Sequence, residues 1–261
     1  MDDDDKINIS FYAAKHKPRA QQALAELKGL YGHVKPEKAD VICVLGGDGT
    51  MLHALHDFAD YQAPIFGMNL GTLGFLLNSY QREKLDERIE KAKRFTIHPL
   101  EMIAIDKDGE EHKLVAFNEV SLLRETHNSA KIKISINDEV RLKELVCDGV
   151  LVSTPVGSTA YNSSAGGPIL PLTANIMPIT PISVFRPRHW PGALIRNDKT
   201  IRFQINNPIE RPVSATADSK EIRDVREVIV KESDVTKTLL FDDENTLGDR
   251  IFREQFADYS I

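Results

Sequence analysis

An unbroken apolar run at residues 41–45 ends in Gly46-Gly47-Asp48-Gly49-Thr50, after which Met51, Leu52, Leu55, Phe58 and Ala59 recur at helical spacing. A continuous apolar run of that length is expected of a strand covered on both faces, and the recurrence of a helix with one apolar side. Three glycines between the two let the backbone turn tightly and bring its amides to a ligand with no Cβ in the way. Amides at a helix start attract anions, and the carboxyl end of a parallel strand is where open α/β sheets bind ligands. Asp48 is the unusual member. An acid beside a phosphate-binding loop repels phosphate unless it takes a proton or holds a metal, and both tasks occur in phosphoryl transfer. The bland alternative is a strand–turn–helix corner in which Asp48 or Thr50 merely caps the helix. Three glycines around one acid favour function.

The surrounding pattern extends this start into a domain. Residues 7–12 and 64–68 read as further strands. Residues 18–30 read as a helix opened by Pro18, with Ala20, Ala23, Leu24, Leu27 and Leu30 on its apolar side. Leu85, Ile89 and Ala92 mark another, charged helix. Such alternation predicts a layered α/β domain with a mostly parallel sheet. After residues 96–99 short strands follow one another at 100–106, 113–117, 120–123, 131–136 and 142–146, with Asp108-Gly109 and Asn137-Asp138 as turns. Residues 131–136 alternate lysine or serine with isoleucine. Runs at 201–205 and 225–230 continue the series, which predicts an antiparallel sandwich. The expectation is therefore an α/β domain over 1–98, a β-sandwich domain over 99–239, and a segment 240–261 that returns to the first domain. Leu247, Ile251 and Phe252 suggest a closing helix there.

Composition excludes several classes. The 261 residues are 41% hydrophobic and 28% charged, which fits a packed core and not a disordered chain or a coiled coil. No apolar run approaches the roughly 20 residues of a membrane span. The net charge of −6 argues against bulk binding to nucleic acid or to an anionic membrane. Met1 is followed by four aspartates and Lys6. That segment reads as a protease-cleavage linker and is set aside, and the chain is still acidic without it. The start is acidic, not basic and then apolar, so no secretory leader is expected. Cys43 and Cys147 both sit in apolar stretches and read as reduced, buried thiols of a cytoplasmic protein.

A second loop stands after an apolar run at 150–152. Residues 153–162 read Ser-Thr-Pro-Val-Gly-Ser-Thr-Ala-Tyr-Asn, and Ser163, Ser164, Ala165, Gly166, Gly167 and Pro168 follow. Hydroxyls and free amides at such density suit ribose and phosphate oxygens, and Tyr161 suits a ring; an ordinary surface loop accounts for them equally well.

The motifs occur in a telling order: GGDGT at 46–50, Gly67-x-Asn69-x-Gly71-x-Leu73-Gly74-Phe75, Asn118-Glu119, Asp148-Gly149 and GSTAYN at 157–162. Over nearly its whole length the chain resembles the bacterial-type NAD kinases. GGDGT alone is shared with diacylglycerol and sphingosine kinases; Asn-Glu together with GSTAYN separates the NAD kinase family from these lipid kinases. The resemblance implies transfer of the terminal phosphate of ATP, or of polyphosphate, to the 2′-hydroxyl of the adenosine ribose of NAD, giving NADP. Asp48 would be the general base, with Gly47 and Gly49 giving phosphates room. His53 would stand near the pyrophosphate, or be a plain surface histidine. Asn118 and Glu119 would hold the nucleotide, and Asp148 the nicotinamide amide or its ribose. Thr159, Ala160, Tyr161, Asn162, Ser163 and Ser164 would line the dinucleotide site, with Tyr161 on adenine and Phe75 as a further wall. Lys220 stands where many relatives carry glutamine. The cluster Arg186, Arg188 and His189 could meet phosphate but suits a solvated loop better.

Both substrates and the protein are negative, so a divalent cation, Mg²⁺, is expected to neutralise the donor phosphates. No dedicated all-protein cage is visible, consistent with a magnesium ion held mainly by substrate oxygens and one or two carboxylates. The family resemblance also implies a homodimer or homotetramer.

Overall fold

The computed structural model describes residues 7–71 and 74–242. Two compact units emerge: Met1–Ile97 with Val235–Ile261, and His98–Asp234.

The first unit runs β1 (Ile9–Ala13), α1 (Pro18–Tyr31), β2 (Val41–Gly46), α2 (Asp48–Asp57), β3 (Ile65–Asn69), β4 (Asn78–Ser79), α3 (Leu85–Lys91) and β5 (Lys93–Ile97). Every residue of β2 is buried, as its unbroken apolar composition requires. It lies between β1 and β3 and is parallel to both. Helix α1 starts on Pro18, whose missing N–H costs nothing at a helix start. It ends at Gly32, whose φ of +79° only glycine adopts readily and whose N–H donates to the Lys28 carbonyl. Ala20, Ala23 and Leu27 pack on Phe11, Cys43, Leu45 and Phe66. Leu30, expected in that stripe, is 61% exposed because the helix is already in its last turn there.

The second unit adds β6 (Leu100–Asp106), β7 (Glu111–Ala116), β8 (Glu119–Arg124), β9 (Ala130–Ile136), β10 (Glu139–Cys147), β11 (Gly149–Ser153), α4 (Tyr161–Ser164), β12 (Ile176–Ile182), β13 (Ala193–Arg196), β14 (Ile201–Ile205), β15 (Val213–Ala217), β16 (Lys220–Ile222) and β17 (Val225–Glu232). One sheet has the order β10-β9-β14-β17-β6-β7 and the other β13-β12-β11-β8-β15-β16. Their inner faces share one core, with Ile132, Ile134, Phe203 and Val228 from the first and Val120, Leu122, Val150, Val152 and Ala215 from the second. The alternation at 131–136 is thus met by Ile132 and Ile134 pointing inward. The fold is an α/β unit and an antiparallel β-sandwich, as the sequence pattern predicts.

The last described strand, β18 (Lys237–Phe241), belongs to the first unit. It inserts between β3, to which it is parallel, and β5, to which it is antiparallel. The expected closing helix around Leu247–Phe252 lies outside the described residues. No helix among the described residues is long and apolar enough to cross a membrane. Both cysteines are free and buried. Burial pushes both thiols up, that of Cys147 to about 12, so neither is a ready nucleophile.

Candidate active site

In the first unit, β2 delivers the glycine loop and α2 begins inside it. Gly46 closes the strand; a methyl group there would lie 2.4 Å from Thr50 Oγ1, so packing demands the glycine. Gly47 and Gly49 differ. A Cβ at either would meet nothing within 4 Å, and Gly47 has φ −121°, which any residue adopts. The protein's own packing therefore leaves open the space above these two residues.

Asp48 is the first residue of α2 and is partly exposed. Its Oδ2 accepts the amide of Phe75 at 2.9 Å and its Oδ1 that of Leu76 at 3.1 Å. Two amides set the orientation of the carboxylate. The segment that supplies them is anchored by Leu76 and Leu77, both buried, while Phe75 stays half-buried. Phe75 thus meets the loop through its backbone and keeps its ring partly free. His53 is exposed on α2. At about 100° per residue it lies about 140° around the helix from Asp48 and next to Gly49.

In the second unit, two predicted motifs come together at one corner. Residues 117 and 118 join β7 in one sheet to β8 in the other, so their backbone groups have no ladder to enter. The carbonyl of Asn118 accepts the Thr154 amide at 2.9 Å and the Ser153 hydroxyl at 3.2 Å. The carbonyl of Phe117 accepts the Thr154 hydroxyl at 2.7 Å. Gly157 passes so close that a Cβ there would sit 2.1 Å from the Asn118 carbonyl oxygen. The opposite side of the corner is held by Asp218, which the sequence pattern did not single out. Asp218 Oδ2 accepts the Phe117 amide at 2.8 Å, and its Oδ1 accepts those of Asn118 at 2.9 Å and Glu119 at 3.2 Å. The one available signal was an acid at the tight turn between β15 and β16, a position that favours Asp or Asn.

Asn118 and Glu119 are both partly buried. Glu119 Oε2 is shut off from solvent without a hydrogen-bond partner. Burial, and then the charge of Asp218, push the Glu119 carboxyl up to about 7.

The small hydroxyls of residues 153–164 divide into two groups. Ser153, Thr154 and Ser158 are buried and spend their hydroxyls on the loop and its corner; Ser158 Oγ donates to the Pro155 carbonyl at 2.7 Å and accepts the Leu170 amide at 3.0 Å. Asn162 is fully buried. Its amide donates to the carbonyls of Ser158 at 3.2 Å and Pro168 at 2.9 Å, and its oxygen accepts the Thr180 hydroxyl at 2.6 Å. In this structure Asn162 staples the loop. Thr159, Ala160, Tyr161, Ser163 and Ser164 keep exposed surface, so these five are the side chains the loop can offer a ligand.

Asp148 is not brought to this corner. Strands β8 and β11 pair so that Ser153 faces Glu119 and Gly149 faces Leu123. At about 3.4 Å per residue, Asp148 stands roughly 17 Å along the strands from Glu119. There Arg124, a second residue the motifs did not reveal, grips it: Arg124 Nε donates to Asp148 Oδ1 at 2.6 Å. Arg186, Arg188, His189 and Lys220 are exposed, and the Arg186 guanidinium stacks 5.4 Å from the Phe185 ring centre.

Among the described residues, one set of acid and imidazole side chains is close enough to share an ion: Asp106, Glu110 and His112, on the β6–β7 hairpin. Asp106 is already occupied there by His112 at 2.8 Å and by the amides of Asp108 and Glu110. At the glycine loop the acid is Asp48 alone.

Residues 4–94 match the ATP-NAD kinase N-terminal domain, and residues 117–236 the ATP-NAD kinase C-terminal domain. The NAD kinase of Hyphomonas neptunium is 51% identical over 253 residues, covering 96% of this chain and 98% of that protein. That of Caulobacter vibrioides is 49% identical over 247 residues, covering 94% and 95%. Among solved structures, yeast NADH kinase complexed with NADH superposes with a TM-score of 0.84 at 22% identity, covering 98% of this chain and 89% of that one. An NAD kinase from Archaeoglobus fulgidus in complex with ATP gives 0.75 at 22% identity, covering 96% and 99%. These two speak to the fold. Matched in both halves by the domains of one family, and end to end by relatives about half identical, the chain belongs to the ATP-NAD kinase family.

Proposed function

We infer that this chain is an NAD kinase, converting NAD to NADP with ATP as phosphate donor, and we propose that Asp48 is its general base. The observation that carries the assignment is the open space at Gly47 and Gly49 on either side of a carboxylate that two amides hold in place. In the reaction the 2′-hydroxyl oxygen attacks the terminal phosphorus of ATP, the bond to the bridging oxygen breaks, ADP leaves, and the hydroxyl proton passes to Asp48. The two amides leave each carboxylate oxygen a lone pair for that proton. Asn118, Glu119 and the exposed part of residues 159–164 hold the dinucleotide. His53 and Phe75 border the glycine loop, and Asp148 serves only a part of the ligand distant from Glu119.

A divalent cation would supply charge neutralisation on the donor phosphates. The donor set at the loop fits Mg²⁺, which keeps several waters and takes phosphate oxygens with one or two carboxylates. Asp48 is the carboxylate present.

The test is formation of NADP from NAD and ATP by the purified protein, with and without Mg²⁺, and with polyphosphate as an alternative donor. Asp48→Asn keeps the shape and an acceptor for one of the two amides, since its NH₂ replaces the other accepting oxygen. It is expected to lower kcat by about 10²–10⁴ with the fold intact. Wild-type turnover in this variant would remove Asp48 from the role. Phosphorylation of lipid vesicles instead of NAD would assign the protein to the lipid kinases that share GGDGT.

A further inference from the structure

We propose that Asp218 is the positioning residue of the nucleotide-holding corner, fixing where Asn118 and Glu119 stand and whether Glu119 carries a proton when the dinucleotide arrives. The proposal rests on the reading that these two residues hold NAD.

Three features support it. The corner between β7 and β8 leaves consecutive amides with no sheet partner, and unpaired buried amides are costly. Asp218 takes all three, at 2.8, 2.9 and 3.2 Å, and its own amide donates back to the Glu119 carbonyl at 3.1 Å. It does so from a left-handed backbone position, φ +53°, in the two-residue turn between β15 and β16, where Ala217 pairs with Lys220. The shortness of that turn holds the carboxylate in place, since a two-residue hairpin allows little freedom.

The second feature is charge. Asp218 faces Glu119 from the β15–β16 turn; opposite Glu119 on β11 stands Ser153, which is neutral. One carboxylate satisfied by three amides beside another whose Oε2 has no partner is an asymmetric pair. Burial and the nearby Asp218 carboxylate favour the proton on Glu119. A protonated Glu119 offers a nucleotide a donor as well as an acceptor, which an ionised one does not.

The third is mechanical. The carbonyls of Phe117 and Asn118 are held by Ser153 and Thr154, and their amides by Asp218. Removing Asp218 frees one side of a corner whose other side is clamped.

The experiment compares full-length wild type, Asp218→Asn, Asp218→Ala and Glu119→Gln. Steady-state KM for NAD and kcat are measured between pH 5 and 9, and backbone amide exchange of residues 117–119 is followed in the absence of nucleotide. In wild type the KM for NAD is expected to change through an inflection near pH 7, rising as Glu119 loses its proton. Glu119→Gln removes the inflection. Asp218→Asn removes the neighbouring charge and moves it to lower pH. Asp218→Ala raises KM for NAD about tenfold or more, with kcat and the KM for ATP changed less than about threefold. It also speeds exchange at the three amides about tenfold or more. Should Asp218→Ala not fold, Asp218→Asn and Glu119→Gln carry the test. Unchanged exchange in a folded Asp218→Ala, or an unchanged pH profile in Asp218→Asn, overturns the proposal. Failure of the wild type to bind or phosphorylate NAD would instead overturn the reading on which it rests, and the exchange measurement would still decide the role of Asp218 in the corner.

Discussion

Glycines that look alike in the sequence do different work. Gly157 is required by the protein itself, because the Asn118 carbonyl occupies the place of its missing side chain. Gly49 meets no such neighbour and sits inside a helix, where alanine is intrinsically better by about 1 kcal/mol. Gly157→Ala is therefore expected to destabilise the fold by about 2–3 kcal/mol through overpacking. Gly49→Ala is expected to leave stability equal or slightly higher while cutting NADP formation at least about tenfold, as the methyl group invades ligand space. Denaturant midpoints and turnover of both variants check the pair, and full activity in Gly49→Ala would place the ligand elsewhere. Asn162 shows the same division. Its motif suggested a binding residue, but its amide is consumed by Ser158, Pro168 and Thr180. Composition could not separate the two roles, because both use small polar side chains.

At the scale of elements, the first unit is tied together by a lysine. Lys237 on β18 is 3% exposed, and its ammonium donates to the carbonyls of Phe58, at 2.6 Å, and Tyr61, beyond the C-terminal end of α2. The Phe58 carbonyl caps the negative end of the helix dipole, so a cation is favoured there despite burial, which by itself pushes the lysine pKa down. Lys237→Met keeps the length of the side chain and strands both carbonyls. It is expected to cost about 2–3 kcal/mol, read as a lowered denaturant midpoint. A loss below about 0.5 kcal/mol would mean that water replaces the ammonium. Elements were legible where the apolar pattern is strong, as in the unbroken run of β2 and the periodicity of α1 and β9. Strand β12 was not: Pro178 and Pro181 argue against a strand inside a sheet, yet they pair with Leu194 and Val150. Strand β5 was hidden for another reason, since Lys93, Arg94 and Thr96 are exposed and only Ile97 is buried.

For the whole molecule, the chain path makes an asymmetric prediction. Among the described residues all twelve sandwich strands lie within 98–234, so that fragment alone is expected to unfold in one cooperative transition. A fragment of residues 7–97 lacks β18, and with it the link between β3 and β5. It is expected to stay partly unfolded until residues 235–261 are joined to it. Thermal melts followed by circular dichroism compare the fragments, and a cooperative melt of 7–97 alone would contradict the topology. What the amino-acid order determined by itself was local: alternating periods that separate an α/β half from an antiparallel half, and a glycine-flanked acid between a buried strand and a helix. These are legible because a side chain's period and a backbone's freedom depend on near neighbours. Tertiary structure alone decided which distant groups meet. Asp218 reaches the amides of a corner about a hundred residues away, Lys237 reaches the end of α2, and sheet register sends Asp148 to the far end of β8 from Glu119. Pairing between strands is set by packing across the core, and the separation of residues along the chain carries no record of it.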